Sequence, residues 1–166
     1  MNRVIHTIPP IFGPSSRTLI LGTMPSPRSR EACFYYAHPQ NRFWRALAAV
    51  YGESVPETNA ARASLILRHG LALWDVLHSC NITGAADASI RRPVANDIAG
   101  LVKSTGITRV FTTGKTAAKL YAELLAEDVG LPCTALPSPS SANARMPLNA
   151  LIEIYRAALT GQPPRP

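Results

Sequence analysis

Thr18-Leu19-Ile20-Leu21-Gly22-Thr23-Met24-Pro25-Ser26 is the stretch of this sequence that decides the fold. Its first part is apolar and ends on a glycine, which is typical of a strand buried on both faces, and the Pro and Ser that follow predict a rigid loop. The segment Cys133-Thr134-Ala135-Leu136 and the loop Pro137-Ser138-Pro139-Ser140-Ser141-Ala142-Asn143-Ala144 have the same order. Because ligands bind where the carboxyl ends of parallel strands meet, the two loops predict one composite site.

Strands and helices alternate along the rest of the chain. Further strands are predicted at 71–76 and 109–113. Helices are predicted at 43–51, at 59–69, from 96 or 97 to about 103, from 114 or 115 onward, and across 148–159. This order predicts an α/β fold with three αβα layers, in which a four-stranded, mainly parallel central sheet is covered on both faces. The segment Thr113-Gly114-Lys115-Thr116 does not fit a P-loop, because position 109, where that motif needs its first glycine, is Arg.

The length of 166 residues indicates one domain. Residues 1–16 contain three prolines and predict an extended arm over the surface, 17–160 predict the single folded domain, and 161–166 predict a disordered tail. The stretch 79–96 is polar, turn-rich and basic at Arg91-Arg92, so it is interpreted as a connection. The whole protein is expected to be a monomer.

The charge of the chain indicates a polyanionic partner. Lys and Arg number 17 against 10 Asp and Glu, a net charge of +7, and such an excess is typical of nucleic-acid binding. Many of the basic residues lie in or near loops and helix starts, namely Arg28, Arg30, Arg42, Arg45, Arg91, Arg92, Lys115 and Arg145.

The cysteines argue against a metal and against secretion. Cys33, Cys80 and Cys133 are widely spaced and form no CxxC pair, so neither zinc nor an iron–sulfur cluster is expected. There is no leader with a charged and then an apolar part, and no apolar run of about 20 residues. We therefore expect a cytoplasmic protein that does not bind a membrane.

Four polar or aromatic residues have more than one interpretation. The Asn41 amide could hold a water or a base edge, or it could cap the helix that begins at Arg42-Phe43. Tyr36 could stack on a base or belong to the core, and His38 could serve the site or only hold its loop. Asp75 could face the site from the end of its strand or form a turn. His6 has the pattern of an ordinary surface or core residue.

Taken together, the motifs resemble the uracil-DNA glycosylase superfamily. The segment 22–44, with His38-Pro39-Gln40-Asn41-Arg42-Phe43-Trp44, resembles the first motif of its mismatch-specific branch. The loop 136–144 resembles the second motif, which inserts into the DNA minor groove. Met24 stands where the mismatch-specific enzymes carry a catalytic Asn, and the combination is most similar to the hypoxanthine-DNA glycosylase (DNA-deoxyinosine glycosylase) branch. The resemblance covers roughly residues 17–160.

The resemblance implies a base-excision repair enzyme with a uracil-DNA-glycosylase-like fold. Such an enzyme flips a deaminated base out of damaged DNA and hydrolyses its N-glycosidic bond, and the branch implies hypoxanthine as that base. Asn41 is the implied catalytic residue. The implied base pocket consists of Gly22, Thr23, Met24, Tyr36 and His38. The implied DNA-binding residues are Pro25, Ser26, Ser138, Pro139, Ser140, Ser141, Ala142, Asn143 and Arg145. Neither motif contains Lys, so a monofunctional enzyme without a cofactor is expected.

Two alternatives stay open on the sequence alone. One is a uracil- or mismatch-specific glycosylase of the same fold, and the other is a non-catalytic DNA-binding member of that fold. The lesion that is cut separates the first from the hypoxanthine enzyme. Binding of DNA without cutting any lesion would identify the second.

Overall fold

The main sheet is built around strand β2 (Thr18–Gly22), whose five residues are all buried. In the computed structural model, which describes residues 1–163, β2 lies between β3 (Leu71–Asp75) and β6 (Arg109–Thr113), and β7 (Cys133–Leu136) follows β6. All three pairings are parallel. The predicted four-stranded parallel sheet is therefore confirmed, with the order β3-β2-β6-β7.

Helices cover both faces of this sheet, which confirms the three-layer architecture. Ile20 faces one hydrophobic core, while its neighbours Leu19 and Leu21 face the other, as the alternation of a strand requires. The first core is formed with α2 (Phe43–Val50), α3 (Asn59–Arg68) and α7 (Leu148–Thr160). The second is formed mainly with α4 (Ile98–Ser104) and α5 (Lys115–Leu124). Two shorter helices are α1 (Pro27–Ala32) and α6 (Ala126–Val129).

The helix ends follow local capping chemistry. The Thr58 hydroxyl accepts a hydrogen bond from the Ala61 N–H at the start of α3, and Asp97 does the same for Gly100 in α4. Gly70 lies just beyond the end of α3 with φ +67°, a left-handed conformation that glycine adopts without strain. These boundaries agree with the predicted helices to within a residue or two.

A second, antiparallel sheet was not predicted. It consists of β1 (Asn2–Ile5), β4 (Leu77–Ile82) and β5 (Arg91–Ala95), in the order β1-β4-β5. The interpretation of 79–96 as a turn-rich connection was therefore wrong, because only its middle is a loop. β5 contains Arg91, Arg92 and Pro93 and buries none of its residues fully, so the apolar alternation that identifies a strand is missing.

The N-terminal arm is built into the fold more deeply than a surface arm would be. Its first residues form β1, and His6 and Ile8 are buried. Ile11 exchanges two backbone hydrogen bonds of 2.9 Å with Leu73. The arm thus closes the open edge of the main sheet at β3.

At the other end, Gly161 ends α7, and the disordered tail predicted for 161–166 lies partly outside the described residues. Within residues 1–163, no helix is both long enough and apolar enough to cross a membrane.

Candidate active site

A cavity of about 400 Å³ opens where the carboxyl ends of the parallel strands meet. Both loops that the sequence singled out contribute to its wall, together with the loop that joins β4 to β5. The residues that line the cavity include Gly22, Thr23, Met24, Pro25, Ser26, Tyr35, Tyr36, Asn41, Asp75, Asp87, Thr113, Ser138, Pro139, Ser140 and Ala142.

The deep wall of the cavity needs a glycine at the end of β2. A Cβ atom on Gly22 would lie 2.3 Å from Oδ1 of Asp75 and 3.2 Å from the Tyr36 hydroxyl oxygen. The first distance is well below van der Waals contact, so a larger residue here would displace the Asp75 carboxylate. Gly22 therefore allows two polar side chains to converge at this point.

Asp75 is held by a histidine from the N-terminal arm. Nε2 of His6 lies 2.7 Å from Oδ2 of Asp75, and both side chains are buried. The Ile8 N–H donates to Nδ1 of the same ring at 3.2 Å, so Nδ1 is an acceptor and the proton on Nε2 points at the carboxylate. The sequence allowed Asp75 to face the site or to form a turn, and in the structure it lies in the wall of the cavity. His6 as its partner was not predicted, because the two residues are 69 positions apart.

Tyr36 has one ring face covered and its hydroxyl engaged. The ring stacks on Phe43 with centroids 4.0 Å apart, and the hydroxyl shares a hydrogen bond of 2.8 Å with the Thr113 hydroxyl. Burial raises the pKa of the Tyr36 hydroxyl well above its ordinary value, and the Asp75 carboxylate adds to this shift. Tyr36 therefore stays protonated and neutral at physiological pH.

Asn41 lies both at the start of α2 and in the wall of the cavity. Its Oδ1 accepts a hydrogen bond of 2.9 Å from the Phe43 N–H, so the side chain satisfies an N–H in the first turn of α2 from the position before the N-cap residue, Arg42. The residue also lines the cavity. Among the described residues, its Nδ2 has no hydrogen-bond partner, so the free group of the amide is a donor.

Arg42 joins the first motif to the second loop. Its backbone N–H donates to the Pro139 carbonyl at 3.0 Å, and its guanidinium donates to four carbonyl oxygens of the second loop and its C-terminal flank. These acceptors belong to Pro139, Ser140, Asn143 and Met146. From the sequence, Arg42 was identified only as one of the basic residues near loops. Its hydrogen bonds to the second loop could not be predicted, because every residue has a backbone carbonyl.

The second loop is also braced by its own side chains. Nδ2 of Asn143 donates to the Ser138 carbonyl at 3.0 Å, and the Ser138 hydroxyl accepts from the Ser140 N–H at 3.2 Å. The Ser140 hydroxyl accepts from the Ala142 N–H at 3.2 Å. These bonds give the loop a defined shape although its tip is exposed.

Four residues of the implied site lie outside the cavity lining. They are His38, Ser141, Asn143 and Arg145. Of these, His38, Ser141 and Arg145 are exposed, and Nδ1 of His38 accepts a hydrogen bond from the Gln40 N–H at 3.1 Å. Asn143 braces the second loop from within.

Asp87 is a cavity residue that the sequence did not indicate. It begins a short 3₁₀ turn, Asp87–Ser89, between β4 and β5. The Thr23 hydroxyl donates to Oδ2 of Asp87 at 3.2 Å. Burial raises the pKa of the Asp87 carboxyl above its ordinary value, the Thr23 hydrogen bond opposes this, and the Asp75 carboxylate adds to it. No local pattern marks Asp87, because the second sheet that carries it was itself missed.

The described residues contain no group of three or more His, Cys, Asp or Glu side chains placed to hold a metal ion. The cysteines are free thiols, and Cys80 is buried in the second core.

These features define an α/β protein that binds its ligand in a cavity at the carboxyl edge of a parallel sheet. The model of the uracil DNA glycosylase superfamily matches residues 9–159, and the chain belongs to that superfamily. The predicted family is thus confirmed. By family, the protein is a DNA glycosylase, whose partner is DNA.

Similar proteins include some from two Methanosarcina species. The chain is 31% identical over 142 residues to a hypoxanthine DNA glycosylase of Methanosarcina acetivorans, covering 85% of this chain and 89% of that protein. It is 30% identical over 139 residues to a protein of the same name from Methanosarcina barkeri, covering 82% and 87% of the two chains. The solution NMR structure of a candidate uracil DNA glycosylase from Methanosarcina acetivorans has a TM-score of 0.79, with 28% identity and coverage of 93% and 95%.

Proposed function

We propose that this protein is a monofunctional DNA glycosylase that hydrolyses the N-glycosidic bond of deoxyinosine and releases hypoxanthine. The observation that carries the proposal is the pair of residues in the cavity wall, the Asn41 amide together with Met24 in the first loop. The similarity to relatives named hypoxanthine DNA glycosylase supports the same substrate.

The cavity suits a base that has left the helix. Glycosylases cannot reach the glycosidic bond inside a duplex, so the nucleotide must rotate into a pocket in the enzyme. Here the pocket offers an aromatic edge at Tyr36, a carboxylate at Asp75 and hydroxyls at Thr23 and Thr113. These groups could stack on a base or form hydrogen bonds with its edge.

In the first loop this chain has the thioether of Met24 where the mismatch-specific enzymes have an amide, and this difference favours a purine as the substrate base. A methionine sulfur is only a weak acceptor and cannot activate water. It is flexible and polarizable, however, so Met24 can pack against the wide face of a purine. The amide that holds water or base is then Asn41, which reaches the cavity from the start of α2.

The chemistry of the wall also supports a monofunctional enzyme. A combined glycosylase and lyase needs an amine that forms an imine with the sugar. No lysine is among the residues that line the cavity.

The second loop is proposed to hold the DNA around the vacated position. Serine hydroxyls of 138–143 and the exposed tip of the loop at Ser141 and Ala142 can approach phosphates closely, and the exposed Arg145 adds a positive charge. Groups inserted from the minor groove can offset the stacking that is lost when a base is flipped.

The test is a single-turnover assay on duplexes that carry one hypoxanthine, uracil or xanthine each, with Asn41→Ala as the control for contaminating activity. We expect hypoxanthine to be released and uracil to be released weakly or not at all. The strand should break only after alkali is added. Uracil release at an equal or higher rate would replace the proposed substrate, and tight binding of the lesion duplexes without any release would favour a non-catalytic protein.

A further inference from the structure

Asp87 presents a free acceptor to the cavity. Its Oδ2 accepts from the Thr23 hydroxyl, while Oδ1 has neither a hydrogen-bond partner nor a cationic partner among residues 1–163. The side chain is half-buried in the cavity wall.

The other polar groups of the cavity cannot easily take a proton from water. The Asn41 amide is neutral and not basic, so it can orient a water but does not take a proton from it. Asp75 is buried, and its Oδ2 accepts a hydrogen bond from Nε2 of His6. The Tyr36 hydroxyl stays neutral because its pKa is raised by burial and by Asp75.

We propose that Asp87 is the general base of the glycosylase reaction, acting on the water that the Asn41 amide orients. This inference rests on the proposed function. As the water oxygen bonds to C1′ of the flipped nucleotide, the C1′–N bond breaks and its electron pair stays on the base nitrogen. One water proton passes to the Asp87 carboxylate and later to solvent, and the departing base takes a proton from solvent. A general base of this kind contributes about 10²- to 10⁴-fold in rate.

Several other groups around Asp87 titrate or carry charge. Asp75 acts on Asp87 directly, and Asp87 and Arg30 both influence the Cys80 thiol. Tyr35 and Tyr36 share the cavity, and His6 contacts Asp75. A rate that rises with pH does not by itself identify Asp87, because Asp75 and His6 lie nearby. Variants are therefore needed to identify the group responsible.

The pH dependence has a defined sign. A general base works when deprotonated, so the rate rises as pH increases through the pKa of Asp87 and is then constant. Burial raises this pKa, so the rising limb should lie above the range of an ordinary aspartate. The Thr23 hydroxyl stabilises the ionised form, so Thr23→Val should move the limb to higher pH. A purely structural role for Thr23 would not move it.

The experiment is the single-turnover pH profile of Asp87→Asn on the best lesion duplex. We expect the rate on the plateau to fall by about 100-fold and the rising limb to disappear. Asp97→Asn is the matched control, because Asp97 is exposed and Asn also caps a helix well. Its rate and profile should equal those of the wild type, and circular dichroism shows whether each variant is folded.

The outcomes distinguish a failure of this inference alone from a failure of the proposed function, which would end both. If folded Asp87→Asn keeps the wild-type rate and profile, or if the limb disappears in Asp75→Asn instead, Asp87 is not the general base. If the wild-type protein releases no base from any lesion, the proposed function itself fails.

Discussion

The two walls of the cavity are built in different ways. The wall from the first motif, with Gly22, Tyr36 and Asn41, is held by close packing, aromatic stacking and buried hydrogen bonds. The wall from the second loop, 138–142, is held through its backbone, which bonds to Arg42 and to its own serines. The first wall is the one that we propose to recognise the base and perform the chemistry. The second keeps exposed groups free to contact DNA while its shape is maintained from behind.

Arg42 connects the two walls of the cavity. It follows Asn41 directly, and its guanidinium reaches carbonyls about one hundred positions away along the chain. One residue of the first motif thus holds the second loop in its position beside the first wall. The predictions below separate what each wall contributes.

Salt should produce the largest effect and should act only on DNA binding. If about four phosphates are contacted, affinity for a lesion duplex should fall about 100-fold between about 50 and 200 mM salt. The single-turnover rate at saturating enzyme should stay constant, because salt weakens the binding step and saturating enzyme removes that step from the measured rate. Fluorescence anisotropy at a series of salt concentrations measures the slope, and a flat response would contradict phosphate-driven binding.

Arg42→Ala should disconnect the walls. Arg42 is a partly buried cation, and loss of its hydrogen bonds should lower the free energy of unfolding by about 2 kcal/mol or more. If the transition state of the reaction loses about the same stabilisation, the single-turnover rate should fall roughly thirtyfold. Arg68→Ala removes the same group from α3, where it pairs with Glu53, and serves as the control. Thermal melts and single-turnover rates measure both quantities. An Arg42 variant with normal activity would show that the second loop does not need this anchor.

Asn41 variants should distinguish chemistry from capping. Asn41→Ala should lower the single-turnover rate at least about tenfold, or about 1.4 kcal/mol, with the fold intact. Asn41→Ser keeps a side-chain oxygen that can cap α2 but lacks the Nδ2 donor. The serine variant should be as stable as the wild type and as slow as the alanine variant. Recovery of the rate in Asn41→Ser would mean that capping is the only role of Asn41.

Changes at the tip of the second loop should have the smallest effects. Replacing Ser140-Ser141-Ala142 with glycines, or Arg145 with Ala, should weaken the flipped complex by about fivefold, roughly 1 kcal/mol. The chemical step should change less than binding. A lesion opposite a mismatched base should be less sensitive than a paired one, because its flipping costs less. If these variants act equally on both duplexes, at the wild-type rate, the loop has no role in base flipping.

The sequence was sufficient for the parallel sheet and for the loops that line the cavity. A buried strand such as β2 is a continuous apolar run, and the Gly, Pro and Ser residues that follow it end the strand through their own backbone preferences. Both signals are local, so they can be interpreted without knowing what packs nearby. The family resemblance depended on the same local motifs and was confirmed.

Only the tertiary structure decided which other side chains complete the site. β5 is exposed and arginine-rich, so it forms a strand only because β4 pairs with it. His6 meets Asp75, Thr23 meets Asp87, and Tyr36 meets Thr113 across separations of 64 to 77 positions. Such contacts depend on how distant segments of the whole chain pack together, whereas the loops depend on the residues within them.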